Sequence, residues 1–273
     1  MNIINQVLEA FSQVFIQKAL LSGIFIAVSA SILGVFLVLK NMSLIGDGLA
    51  HVSFAAIAIG LLFSNEPLTF AIPLVILASF LVLKLKESAK INEDSTIGML
   101  SSFSMAVGII IASVAKGFNV DLFSYLFGSI LFITNSELII SILVSISIIV
   151  VVLIFYEDLF AVSFDENFAK VNGINVKRID YLLSLLTSIT IILGIRIVGT
   201  LLISSLIVFP SITALQLKKG FKLTLLYSAL FSVLSLILGI IFSYIINIPS
   251  GASIVVANAC FMLITMFLGK LKA

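Results

Sequence analysis

Long apolar runs, broken by short polar punctuation, fill almost the whole of this 273-residue chain. The clearest runs cover 18–39, 47–63, 67–85, 96–115, 136–156, 179–197, 199–217, 223–246 and 252–269. Each is close to the ~20 residues that cross ~30 Å of hydrocarbon as a helix, the one open-ended structure that satisfies its own backbone in lipid. A further run at 121–134, "DLFSYLFGSILFIT", is short for a span and predicts a short or re-entrant helix among its neighbours. The pattern therefore predicts an all-α polytopic membrane bundle of eight to ten helices, with residues 1–273 forming one transmembrane domain.

Composition agrees with the pattern. Hydrophobic residues make up 61% of the chain and charged residues 10%, with a mean hydropathy of +1.32, which no soluble domain could hide. A net charge of +2 gives no electrostatic footprint for nucleic acid. The lone Cys260 excludes an internal disulfide framework and a cysteine-based metal cluster. The first residues lack a basic segment, a short apolar core and a small-residue cleavage site, so no removable signal peptide is expected.

Lysines set the sidedness. Lys84, Lys86 and Lys90 follow the third run, Lys177 and Arg178 follow the largest loop, Lys218, Lys219 and Lys222 follow "SSLIVFPSITALQL", and Lys270 and Lys272 come last. Placing all four groups in the cytosol makes the spans alternate, provided 121–134 does not cross. Outer loops are then expected near "SNEP", "KGFNVD", residues 196–199 and "NIPSG". Lys40 suggests a cytosolic end for the first span, and the side of the N-terminus stays open. Gly23, Ala27, Ala30, Ser31 and Gly34 form a small-residue face on that span, the pattern of close helix packing in lipid.

Polar side chains inside the spans carry the candidate chemistry. Asp47 and His51, in "LIGDGLAHVSFAAIAIG", are four residues apart and share one helix face. A carboxylate at mid-membrane costs a few kcal/mol, so it sits near a span end, in a wet cavity or beside a partner. Carboxylate with imidazole suits zinc, manganese or iron(II), whereas two ligands alone cannot complete a zinc site. An aspartate cap with a hydrogen-bonded histidine is the structural alternative, and the residues taken alone favour it. Arg196 is expected at a span end, snorkelling to the interface. Pro210 should bend its helix, with Ser204, Ser205, Ser211 and Thr213 available to re-satisfy the backbone or line a wet path.

One cytosolic loop stands out. In "YEDLFAVSFDENFAKVNGINVKRIDYLL", Asp165 precedes an amphipathic run in which Phe164, Phe168 and Val171 project together, and Gly173 supplies a stop. A short surface helix over about 165–172 follows. It either lies on lipid headgroups or docks another protein, and its acidic and apolar make-up favours docking over binding an anionic surface.

Four stretches, "LVLKNMSLIGDGLAHVSFAAIAIG", "FDENFAKVNGINV", "RIVGTLLISSLIVFPSITALQL" and "IPSGASIVV", occur in an order and spacing that resembles the permease subunits of the ABC importers for zinc, manganese and iron(II). The zinc-type branch is the most similar, "YLFGSIL" included. The resemblance covers essentially the whole chain. It implies a multi-pass protein of a prokaryotic cell membrane that imports a divalent ion by alternating access, zinc first and manganese or iron(II) as alternatives, with no permanently bound cofactor. It also implies a homodimer of permeases, two cytosolic ATPase subunits and an extracytoplasmic metal-binding protein. Asp47 and His51 would then belong to the metal path. Phe164, Asp165, Glu166, Phe168, Ala169, Val171 and Gly173 would form a coupling helix that docks the ATPase. Some relatives carry an acid in the penultimate helix, and residues 232–239 here contain none.

The chain has no G-x-x-x-x-G-K-[ST] phosphate loop, so it is read as a transport subunit with ATP hydrolysis on a separate chain. Rival classes are an ATP-independent secondary metal carrier and an intramembrane metalloenzyme. The first calls for more buried ionisable residues and an inverted repeat, and the second for H-E-x-x-H or a second histidine.

Overall fold

The computed structural model describes residues 9, 11–63, 67–89, 93–114, 128, 133–200 and 203–270. They form eleven helices and, among the described residues, no strand: α1 (Val14–Leu39), α2 (Ile45–Phe63), α3 (Pro67–Ala89), α4 (Glu93–Val114), α5 (Asn135–Ile154), α6 (Tyr156–Phe164), α7 (Glu166–Val171), α8 (Val176–Val198), α9 (Ile203–Gln216), α10 (Phe221–Ile246) and α11 (Ser250–Lys270). Eight of these are long and apolar enough to cross a membrane. The run at 121–134 lies outside the described residues apart from Gly128, Ile133 and Thr134.

Helices α1, α2 and α8 are mostly buried and make the inner layer, with the short α9 packed among them. The other long helices surround that layer and turn residues such as Leu143, Leu226 and Leu263 outward, as a lipid-facing surface requires. The small-residue face of α1 does what its spacing predicts. Ser232 Oγ donates to the Ala27 carbonyl and Ser228 Oγ to the Ser31 carbonyl, at 3.0 Å each, and Ser211 Oγ lies 3.1 Å from the same Ser31 carbonyl. A Cβ on Gly34 would collide with the backbone carbonyl of Ile207. Backbones this close supply the packing and interhelical hydrogen bonds that hold helices together where lipid removes the hydrophobic drive.

The described ends of the helices that these lysines flank converge on one end of the bundle. Leu83 and Lys177 line one cleft with Glu166 and Asp180. Phe221 packs on Phe36 at the end of α1, and Thr265 of α11 donates to Gln216 at the end of α9. By the positive-inside rule this end is cytosolic, so α1 starts on the outer side.

The expected span at 199–217 is shorter than its hydropathy suggests. Gly199 takes φ 91°, a conformation open to glycine, and ends α8, and α9 begins at Ile203 and has only 14 residues. Gly194 and Ile203 pack at the level of Ile26, halfway along α1. From there α8 continues for ~6 Å whereas α1 continues for ~18 Å, at ~1.5 Å per residue. The outer loop expected around residues 196–199 is therefore a reversal recessed within the bundle. The side chain of Arg196 lies outside the described residues. Pro210 is buried inside α9 and frees the carbonyl of Leu206, whereas Ser211 and Thr213 donate to the carbonyls of Ile207 and Phe209 at 2.6 and 2.7 Å, so neither of these bonds gives the relief expected of them.

Candidate functional site

The sequence "GDG" is explained by what flanks Asp47. Gly46 faces α9, where an added Cβ would lie 3.1 Å from the Ile207 side chain, and Gly48 faces α4, where it would lie 2.5 Å from Ile97. Two glycines thus let the first turn of α2 wedge between two helices. Asp47, between them, keeps an open side: its side chain is 48% exposed, and that of His51, one turn on, is 19% exposed. Asp47 sits in the first turn of α2, where the helix dipole favours a carboxylate.

His51 Nε2 lies 3.6 Å from Asp47 Oδ2, beyond hydrogen-bond length. Two donors bound to one transition ion at about 2.1 Å each lie roughly 3.0–3.5 Å apart. The pair is therefore spaced close to what shared ligation needs, without being locked to itself. The Nδ1 of His51 is buried and has no hydrogen-bond partner among the described residues, so none of the described helices holds the imidazole by that nitrogen. Among the described residues, no group of three or more His, Cys, Asp or Glu side chains could hold an ion. Within one chain Asp47 and His51 offer two ligands, enough for brief contact and too few for a closed site.

The second candidate region is the cytosolic connector. Helix α7 begins at Asp165, whose Oδ1 accepts from the backbone N–H of Asn167 and of Phe168 at 2.8 and 3.1 Å, the hydrogen-bond pattern of an N-cap. It ends in a turn where Gly173 takes φ 79°. One side of α7 is fixed to the bundle: Ala169 is fully buried, and Glu166 reaches Lys40. The other side is apolar and bare, with Phe168 61% and Val171 88% exposed, and Phe164 beside them. Phe168 and Val171 are thus both bare, Phe164 is exposed on α6 while packing on Phe160 and Phe221, Ala169 is buried, and Glu166 is half-exposed where it meets Lys40.

Two features of this end were not singled out by pattern. Lys40, read only as a marker of sidedness, is almost fully buried, with 2% of its side chain exposed. Its Nζ lies 2.9 Å from Glu166 Oε1 and 2.7 Å from Asp180 Oδ1. Phe221 holds an aromatic cluster together, its ring centre 5.4 Å from Phe36, 4.8 Å from Phe160 and 5.8 Å from Phe164. Neither has a local sequence signal, because every partner comes from a distant part of the chain.

The profile of the ABC 3 transport family matches residues 12–269. The manganese import system permease protein ScaB of Streptococcus gordonii is 34% identical over 93% of this chain and 91% of its own length. The manganese transport system membrane protein MntC of Halalkalibacterium halodurans is 30% identical over 96% of this chain and 90% of its own. The high-affinity zinc uptake system membrane protein ZnuB of Haemophilus influenzae is 29% identical over 91% of this chain and 95% of its own. Among solved structures, PsaBC from Streptococcus pneumoniae in complex with Fab superposes with a TM-score of 0.87 at 32% identity, over 96% of this chain and 95% of that one.

Proposed function

Because the chain belongs to the ABC 3 transport family, as a multi-pass permease of a bacterial metal ABC importer, we propose that Asp47 and His51 form its metal-contacting step, with manganese the first candidate cargo and zinc the second. The observation that carries this reading is the pair itself: one carboxylate and one imidazole, 3.6 Å apart, on the open side of an otherwise buried helix. Manganese moves ahead of the zinc expected from the sequence because relatives named for manganese reach higher identity than the zinc one. A carboxylate is also the harder of the two donors, which suits manganese. Iron(II) ranks third.

An incomplete ligand set fits transport, since an ion that must leave is poorly served by a closed shell. Two copies of the chain would double the set, so the assembly is read as a homodimer with Asp47 and His51 of each copy facing one path. Residues 164–173 then dock the cytosolic ATPase, which supplies the energy that this chain, without a phosphate loop, does not draw from ATP itself. An extracytoplasmic binding protein delivers the ion. Membership of an ABC family removes the ATP-independent carrier from contention.

The deciding experiment is ATPase stimulation of the reconstituted complex by its binding protein, loaded with manganese or with zinc. Manganese is expected to stimulate and to be taken up. Stimulation and uptake by zinc alone reverse the ranking, and normal uptake in both Asp47→Asn and His51→Ala ends the metal-path reading.

A further inference from the structure

We propose that Lys40 is a positioning residue that couples the docking helix α7 to Asp47, so that movement of α7 moves the first turn of α2. The proposal rests on the reading of α7 as the ATPase-docking element. Three observations on the cytosolic end carry it.

The first is the ion triad. Lys40 caps the end of α1, and its Nζ meets a carboxylate from α7 and another from α8, at 2.9 and 2.7 Å. A cation this deeply buried is costly to leave unpaired. Displacing α7 by an ångström or two therefore either drags the end of α1 with it or strips Lys40 of one of these two carboxylates. The second is the stiffness of the five residues that follow α1. The amide of Asn41 bonds to Val38 O and that of Met42 to Leu37 O, Asn41 takes φ 58°, and the amide of Ile45 bonds back to Met42 O. Met42 and Ile45 are buried. This is a folded, hydrogen-bonded corner rather than a slack loop, so displacement of Lys40 reaches Ile45 with little loss. The third is position: Asp47 lies seven residues after Lys40, within the first turn of α2, and Gly46 and Gly48 seat that turn closely against α9 and α4. A turn seated this closely shifts as a unit, so Asp47 moves with it relative to α9 and α4.

The consequence is specific. Removing the Lys40 charge should leave the ATPase bound and able to hydrolyse ATP while the ion moves less often per cycle. The test reconstitutes the full complex of permease, ATPase and binding protein in liposomes. It measures both manganese uptake and ATP hydrolysis with manganese-loaded binding protein. Lys40→Met is expected to lower ions moved per ATP by at least fivefold, with the ATPase still co-purifying, and Lys40→Arg is expected to stay within twofold of the parent chain. Asp180→Asn serves where Lys40→Met fails to assemble, with an expected fall of two- to threefold. A ratio unchanged in Lys40→Met, or in Asp180→Asn where that variant decides, overturns the proposal, and so does a Lys40→Arg ratio as low as that of Lys40→Met. Val171→Glu separates this from the underlying reading: an ATPase that still binds Val171→Glu sinks the docking assignment. Loss of binding in Val171→Glu together with an unchanged ratio in Lys40→Met sinks the coupling alone.

Discussion

The pair Asp47 and His51 and the helix at 164–173 are opposite exceptions to their surroundings. The first places ionisable groups in an apolar bundle, and the second places bare phenylalanine and valine at the polar end of it. Each costs free energy where it stands, the imidazole through its buried Nδ1 and the apolar face through exposure. The difference lies in how they are built. Helix α7 is assembled from neighbours in sequence: a cap at Asp165, a stop at Gly173 and apolar residues on one face. The Asp47 turn is assembled from distant parts, with α9 on one side and α4 on the other. Local construction makes a surface that is offered to a partner without the bundle changing, and assembled construction makes a site that feels every movement of the helices around it.

The largest expected effect breaks the first half of that comparison. On the proposed metal path, Asp47→Asn removes the carboxylate charge and His51→Ala the imidazole, and each should lower manganese uptake by at least tens of fold, given that even supporting groups around a metal ligand typically matter 10–100-fold. Uptake is measured in cells or liposomes, with co-purification of the ATPase as the control. That control should be unaffected, because both residues lie in α2 and α7 is built without them.

Next comes the docking half. Val171→Glu puts a charge at the C-terminal end of the bare face of α7, on the most exposed large apolar residue of that helix. An apolar anchor that becomes buried at an interface is typically worth ~2 kcal/mol or more, so the affinity for the ATPase should fall on the order of thirtyfold in a pull-down titration. The purified permease should keep the thermal stability of the parent, since Val171 touches little of its own chain.

That contrast also explains what pattern could read. The eight long spans and the small-residue face of α1 were legible because lipid imposes one rule, an apolar stretch of sufficient length with small residues where backbones meet. The cap and stop of α7 were legible because they are set within ten residues. The recessed turn before α9 was not: residues 199–217 carry no charge and stay apolar on average, and hydropathy cannot register that Gly199 leaves helical geometry. Lys40 was not legible either, because its partner Glu166 is 126 positions away and a lysine at a span end already has an adequate explanation in sidedness. Asp47 and His51 were visible as a pair, whereas their spacing, open side and unpartnered Nδ1 come only from the packed helices.

Within the assembled half, Gly34 is the position where one methyl group matters most. A Cβ there overlaps the carbonyl of Ile207, which belongs to α9 and cannot rotate away. Gly34→Ala should cost ~1–3 kcal/mol, as overpacking of a tight core does, and lower the melting temperature of the detergent-solubilised protein. It should also weaken uptake, because α9 seats Gly46 beside Asp47. Gly98→Ala on α4 is the control: nothing lies within 4 Å of an added Cβ, so stability should hold or rise slightly.

The smallest effect tests the local half at its weakest point. Helix α7 has six residues, too few to be stable by hydrogen bonding alone, so its shape depends on its ends and on the bundle beneath it. The Asp165 carboxylate satisfies two of its amides, and Asp165→Ala leaves them to water. Loss of such a cap costs ~1 kcal/mol. Ala169 and the Lys40–Glu166 pair still hold α7 against the bundle, so this loss loosens the helix rather than detaching it. ATPase affinity should therefore fall about fivefold, with Tm and the ratio of ions to ATP unchanged at saturating ATPase, and Asp165→Asn, which keeps an acceptor oxygen, should recover most of the loss. If Asp165→Ala lowers that ratio even when the ATPase is saturating, α7 and Asp47 are coupled through the cap as well as through Lys40, and the division between a locally built surface and an assembled site no longer holds.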